Sequence, residues 1–250
     1  MTQLIIANWK MNFTLPQAIS FCSFLQNNYF SKELILCAPS LYLGILGEKF
    51  PKIKFAAQNV SNHKNFGQYT GQYSSSMLKT CGIKYALLGH SECRKAFHEL
   101  DHEISIKAEH CLNDDLVPII CIGESMEVRD SGNYLQEIIK QLKNSLPKNI
   151  KNAREKNIII AYEPIWSIGT GIVPNDEQLI EVFSAIDCFL KQNLFANSTV
   201  LVYGGSVNAN NIARISTLNY VNGLLLGKAS LDQEQLLEIL NFKTKEWNND

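Results

Sequence analysis

Eight short apolar runs punctuate this chain: Leu4–Trp9, Leu34–Ala38, Ile53–Ala57, Tyr85–Leu88, Leu116–Ile122, Ile158–Tyr162, Val200–Tyr203 and Gly223–Leu226. Some are unbroken rather than alternating. Ile158, Ile159 and Ile160 follow one another, the pattern of a strand buried on both faces. The stretches between the runs read as amphipathic helices. From Asp176, acids occupy the first turn and apolar residues recur at Leu179, Val182, Phe183 and Ile186. Each strand-plus-helix unit averages about thirty residues, the length of a strand with its crossover helix. With no Pro/Ser-rich linker, the alternation predicts one continuous parallel sheet and one domain over residues 1–250. An open, doubly wound sheet has fewer strands and a glycine-rich first turn. Here the first turn, Ala7 to Asn12, has no GxGxxG. The expected fold is therefore α/β, a (β/α)8 barrel of eight parallel strands with outer helices.

The composition narrows the function classes. At 46% hydrophobic and 19% charged, the 250-residue chain can fill a large core and is not a disordered protein. Its 23 basic and 24 acidic side chains nearly cancel, so neither a nucleic acid nor an anionic membrane is an expected partner. Seven cysteines with no CxxC pair read as reduced thiols, and cytoplasmic localisation is expected. The apolar run in Met1–Asn8 is too short for a signal-peptide core, and no run approaches a membrane span.

In such a barrel the chemistry sits on loops at the carboxyl ends of the strands. Those positions hold Asn8 and Lys10 after the first run, His90, Ser91 and Glu92 after the fourth, and Glu163 after the sixth. Each alone has a bland explanation; together at one rim they form a catalytic set. Glu163 opens Glu163-Pro164-Ile165-Trp166-Ser167-Ile168-Gly169-Thr170, a carboxylate joined to a loop stiff at its start and permissive at its tip, which suits a lid over residues 164–174. Gly204-Gly205-Ser206 after the seventh run and Gly227-Lys228 after the eighth add small residues at helix starts. With Gly169 they form an expected anion cradle. Two motifs compete. His98-Glu99-Leu100-Asp101-His102 formally fits HExxH, but its position at the solvated start of a crossover helix argues against zinc. Cys121 reads as a barrel-packing thiol rather than a nucleophile.

These residues resemble the triosephosphate isomerase family. The resemblance runs in order from Asn8-Trp9-Lys10 through Gln58-Asn59-Val60, Gly89-His90-Ser91-Glu92, Cys121-Ile122-Gly123-Glu124 and Ala161 to Gly171, then Tyr203-Gly204-Gly205-Ser206-Val207, to Gly227-Lys228-Ala229-Ser230-Leu231. It implies interconversion of glyceraldehyde 3-phosphate and dihydroxyacetone phosphate through an enediol(ate), in glycolysis and gluconeogenesis. Glu163 would be the base, His90 a neutral hydrogen-bond donor at a helix N-terminus and Lys10 the electrostatic stabiliser with Asn8 beside it. Glu92 would orient Lys10 or relay a proton. Asn8, Lys10, Gly169, Ser206, Gly227 and Lys228 would bind substrate. No metal or organic cofactor is implied. A homodimer is implied through loop 66–72, with Thr70 reaching the partner's active site.

The chain departs from the family pattern at Gln72 and Cys93, where glutamate and arginine are usual, and at Ile172 and Lys228, where lysine and glycine are common. A positive φ at Lys228 would be costly for lysine, so Lys228 is expected to adjust phosphate affinity without being essential. Another phosphosugar isomerase and a catalytically retired barrel are the rival readings, and retention of Lys10, His90 and Glu163 speaks against the second.

Overall fold

Every apolar run lies on a strand, with ends shifted by no more than one residue. The structure, a computed structural model, describes residues 4–64, 66–148, 157–193, 199–208 and 210–242. The strands are β1 (Leu4–Asn8), β2 (Glu33–Ala38), β3 (Lys54–Ala57), β4 (Tyr85–Leu88), β5 (Val117–Ile122), β6 (Ile158–Tyr162), β7 (Thr199–Tyr203) and β8 (Gly223–Leu226). They pair in sequence order into a closed barrel. Closure is carried by β1, which pairs in parallel with β2 (Leu4 opposite Glu33) and with β8 (Leu4 opposite Gly223).

The helices are α1 (Leu15–Asn27), α2 (Ser40–Lys49), α3 (Ser75–Thr80), α4 (Ser91–Ala96), α5 (Asp101–Asn113), α6 (Met126–Asp130), α7 (Tyr134–Ser145), α8 (Asp176–Gln192), α9 (Ile212–Ser216) and α10 (Gln233–Asn241). Helix α8 follows its sequence signals closely. The Asn175 side chain accepts from the Gln178 N–H at 2.8 Å, and Gln178 returns the bond to the Asn175 N–H at 3.0 Å, a reciprocal cap on two otherwise unpaired donors. The predicted residues Leu179, Val182, Phe183 and Ile186 are all buried.

The strands are buried on both faces because their side chains alternate between two cores. Inside the barrel sit Leu4, Ile6, Ile35, Cys37, Ala56, Leu87, Ile119, Cys121, Ile159, Ala161, Val202 and Leu225. Between sheet and helices sit Ile5, Ala7, Leu36, Ala57, Leu88, Ile120, Ile160, Tyr203 and Leu224 with the helix faces. Continuing the inward parity one step toward the carboxyl ends gives Asn8, Pro39, Gln58, Gly89, Gly123, Glu163, Gly204 and Gly227. Below this rim the inward positions at Cys37, Ala56, Cys121 and Ala161 are small, leaving room above the packed core for polar side chains and a ligand.

Candidate active site

Glu163 is fixed by its backbone before its side chain acts. Its N–H donates to the Ile122 carbonyl at 2.7 Å, extending the β5–β6 ladder past the end of β6. Its neighbours must be glycines. A Cβ on Gly123 would lie 1.7 Å from the Glu163 carbonyl oxygen, and one on Gly204 would lie 2.9 Å from the Glu163 Cγ. The carboxylate is 2% exposed and lies 3.1 Å from Nε2 of His90, itself 6% exposed. The other carboxylate oxygen accepts from the Ser91 N–H at 3.2 Å.

His90 caps α4, and its Nδ1 accepts from the Glu92 N–H at 3.2 Å. That bond leaves the imidazole proton on Nε2, facing Glu163. Burial pulls the His90 pKa down, but the charge and hydrogen bond of Glu163 outweigh it, and the net direction is upward. The helix terminus alone favours a neutral imidazole; the Glu163 carboxylate in contact with it acts in the opposite direction. A raised histidine contributes stability that is present below its unfolded value and is lost as pH rises through its folded value. Replacing Glu163 with glutamine removes the raising charge and keeps the burial, so the His90 midpoint in the Glu163→Gln variant is expected to fall. Imidazole NMR titration measures it, and an unchanged or higher midpoint would contradict this electrostatic account.

Lys10 reaches the same space from β1. Its Nζ is 2.6 Å from Glu92 Oε1, and its backbone is left-handed with φ of 52°. For a non-glycine residue that conformation costs about 1–3 kcal/mol and needs support from its surroundings. Gln58 donates to the Lys10 carbonyl at 2.7 Å, and Asn8 Oδ1 accepts from the Lys10 N–H at 3.0 Å. The predicted strain at residue 228 is absent: Lys228 opens a short 3-10 turn, Lys228–Ser230, and has no left-handed φ. Ser230 Oγ shares its one proton between the Gly227 carbonyl (2.7 Å) and the Asn8 carbonyl (3.2 Å), tying the loop after β8 to β1.

One cavity of about 580 Å³ is lined by Asn8, Lys10, His90, Glu163, Gly169, Ser206, Gly227 and Lys228 together. Of the strand-end residues singled out in the sequence for chemistry or substrate binding, Ser91 and Glu92 are outside that lining; Ser91 holds the Glu163 carboxylate through its N–H, and Glu92 stands behind Lys10. Thr70 is elsewhere, on an exposed loop beside a second cavity that contains Glu99 and Lys107. The HExxH reading fails on geometry. His98 has a left-handed φ of 54° and α5 begins only at Asp101, so His98 and His102 do not share a helix, while Glu99 pairs with Lys107. The Cys121 thiol is fully buried in the inner core, and its pKa is pushed well up by burial and then by Glu163, consistent with a packing role.

Two residues that carry the family resemblance, Gln58 and Glu124, have supporting roles that the sequence alone does not assign. Gln58 props the Lys10 backbone. Glu124, 2% exposed, accepts from Trp166 Nε1 (2.8 Å) and the Tyr162 hydroxyl (3.1 Å) and pairs with Arg129 (3.3 Å), anchoring the loop that follows Glu163. Their signal was inward parity for Gln58 and, for Glu124, a carboxylate directly after a strand-end glycine.

A closed parallel barrel with a carboxylate, an imidazole and a lysine converging at its carboxyl rim defines an enzyme of the (β/α)8 class. The family model for triosephosphate isomerase matches residues 3–243. The triosephosphate isomerase of Orientia tsutsugamushi (strain Ikeda) is 41% identical over 249 residues, 96% of this chain and 97% of the relative. Those of Neurospora crassa and Synechocystis sp. are 39% and 36% identical, covering 94% and 97% of this chain and 95% and 100% of theirs. The chain belongs to the triosephosphate isomerase family, and it is an isomerase of triose phosphates.

Proposed function

We propose that Glu163 moves a proton between adjacent carbons of glyceraldehyde 3-phosphate and dihydroxyacetone phosphate, with His90, Lys10 and Asn8 stabilising the enediolate between them. The observation that carries this is the buried contact of Glu163 with His90 at 3.1 Å on the wall they share with Lys10. A carboxylate that rotates off His90 and Ser91 toward the substrate frees the Nε2–H to donate to the substrate carbonyl. As Glu163 takes the carbon proton, the electron pair moves onto that oxygen. Lys10 and the amide N–H of Asn8 face the developing charge, the electrostatic role with the largest leverage in a water-poor site. Glu92 holds Lys10 in place. The substrate's own carbonyl takes the carbanion's electrons, so the mechanism calls on no metal or organic cofactor.

Gly169, Ser206, Gly227 and Lys228 grip the phosphate through backbone N–H groups, and residues 164–174 close over it. Such gating by a loop is a general device, and triosephosphate isomerases are themselves a standard case of it. Gly169 and Gly171 have φ of 71° and 79°, which gives the loop tip backbone freedom open to few other residues. The reading places the reaction in glycolysis and gluconeogenesis, in the cytoplasm, on one domain over residues 1–250. Assaying the purified protein against glyceraldehyde 3-phosphate and a five-carbon aldose phosphate tests it. Turnover of the triose alone is expected, and turnover of the pentose alone would transfer the site to another sugar.

A homodimer accompanies this reading. Residues 66–72 are exposed throughout, and Phe66 and Phe97 are 81% and 77% exposed, an apolar surface that a second copy would cover with Thr70 reaching the neighbouring site. Gln72 is exposed on this loop, while the half-buried Cys93 thiol, 3.9 Å from Asn59 Nδ2, has its pKa pushed up to about 11 by burial and by Glu99. A combined Gln72→Glu and Cys93→Arg change is expected to strengthen dimerisation by more than the sum of the single changes, because each charge then gains its partner. A double-mutant cycle on the dimer dissociation constant checks this, and strict additivity would refute the pairing.

A further inference from the structure

One buried hydroxyl at the base of the lid has no part in the proton transfer described above. Ser167 is 0% exposed. Its Oγ donates to the Ile172 carbonyl at 2.6 Å, accepts from the Ser206 N–H at 3.4 Å and lies 3.4 Å from the Tyr203 hydroxyl. The Ser167 carbonyl accepts from the Ser206 hydroxyl at 2.6 Å. The space these groups share exists because residue 205 is glycine: a Cβ there would lie 2.1 Å from the Tyr203 hydroxyl and 3.0 Å from Ser167 Oγ. A single side chain therefore ties the outgoing leg of the lid to its returning leg, and both to the loop after β7.

We propose that Ser167 is a positioning residue whose hydroxyl couples phosphate capture to lid closure; this rests on the reading of the site given above. The bond from Ser167 to Ile172 closes the intervening tip into a ring, so the tip moves as one body instead of fraying. The Ser206 N–H is one of the donors assigned to the phosphate, and here it is held by Ser167 Oγ at the long end of hydrogen-bond range. A phosphate oxygen is a stronger acceptor than a hydroxyl. Seating the anion transfers that N–H from Ser167 to the phosphate, weakening one link between the lid base and the β7 loop while the bond tying the two legs persists. The lid then swings intact, with the bond from the Ser206 hydroxyl to the Ser167 carbonyl retained at its base.

The test reads shielding as well as rate. An enediolate left open to water expels phosphate: the oxygen electron pair re-forms a carbonyl, the enediolate double-bond pair moves to form a new double bond to the carbon that carries the phosphate, and the bond from that carbon to the phosphate oxygen breaks, its electrons leaving with inorganic phosphate. Ser167→Ala is expected to lower kcat about tenfold, change KM less than about threefold and raise the inorganic phosphate released per turnover about tenfold, the weight of one hydrogen bond in a transition state. Ser167→Thr, which keeps the hydroxyl, is expected to restore the low phosphate release. Phosphate release per turnover in Ser167→Ala equal to that of the wild type would overturn the proposal, whatever the melting temperature. If the alanine variant does not fold, Ser167→Cys, which keeps the volume with a poor donor, carries the same comparison. A wild type that does not isomerise triose phosphate overturns the underlying reading of the site, and this one with it.

Discussion

Shortening one side chain by a methylene, in Glu163→Asp, is expected to lower kcat about 1,000-fold while KM stays within a few-fold. The backbone at residue 163 cannot move to compensate. Its N–H is bonded to Ile122 at 2.7 Å, and its carbonyl is packed directly against Gly123. The shorter carboxylate therefore retracts from the substrate carbon by about one bond length, and a displacement of that order removes the alignment on which proton transfer depends. A 1,000-fold loss corresponds to about 4 kcal/mol of transition-state stabilisation. KM is spared because the proposed phosphate grip comes from Gly169, Ser206, Gly227 and Lys228 on other loops. Steady-state kinetics with a melting curve separates this from misfolding. A variant within tenfold of the wild-type kcat would remove Glu163 from the role of base.

The largest structural effect is expected from Gly123→Ala. The added methyl would stand 1.7 Å from the Glu163 carbonyl oxygen and 2.6 Å from its carbonyl carbon, both backbone atoms. Retreat of Gly123 is opposed by Gln141, which accepts from its N–H at 2.8 Å and donates to its carbonyl at 3.2 Å. Either β5 or β6 must shift at its carboxyl end, at about 3 kcal/mol or more. For a chain of this length that corresponds to a fall in melting temperature of roughly 10 °C. Because the shift acts on the residue that carries the carboxylate, kcat is expected to fall about 100-fold in the protein that still folds. Calorimetry and kinetics on one preparation check both, and an unchanged melting temperature would mean that the close approach of these strands is not required.

The barrel was legible because its physics is local. Runs such as Ile158–Ile160 had to be buried on both faces, and the acids at Asp176 and Glu177 marked the start of α8. The site was legible as far as it lay at strand ends: Asn8, Glu163, Gly204 and Gly227 follow from carrying the inward parity one step beyond the core. Its supports were not legible, since they join positions far apart in sequence. Gln58 reaches the Lys10 carbonyl from 48 residues away, and the Ser206 N–H meets Ser167 Oγ across 39. Inward parity turns Gln58 toward the rim, but no pattern in the sequence announces which partner either side chain meets. The left-handed Lys10 was hidden for a different reason, since such a backbone ordinarily announces itself through glycine and here it is held by Gln58 and Asn8 instead. At Lys228 the expectation of strain came from the glycine common in the family at that position, and the backbone here is a short 3-10 turn without a left-handed φ.

The central claim, that one fixed carboxylate works on one face of a planar enediolate, is tested most directly by equilibrating the wild-type protein with dihydroxyacetone phosphate in heavy water and counting deuterium on the carbon that bears the free hydroxyl. A base held as Glu163 is held removes and returns protons on a single face, so repeated passage is expected to leave one deuterium per molecule there. No deuterium would indicate direct hydride transfer between the carbons, two would indicate a base without a fixed face, and either result would contradict the role given to Glu163.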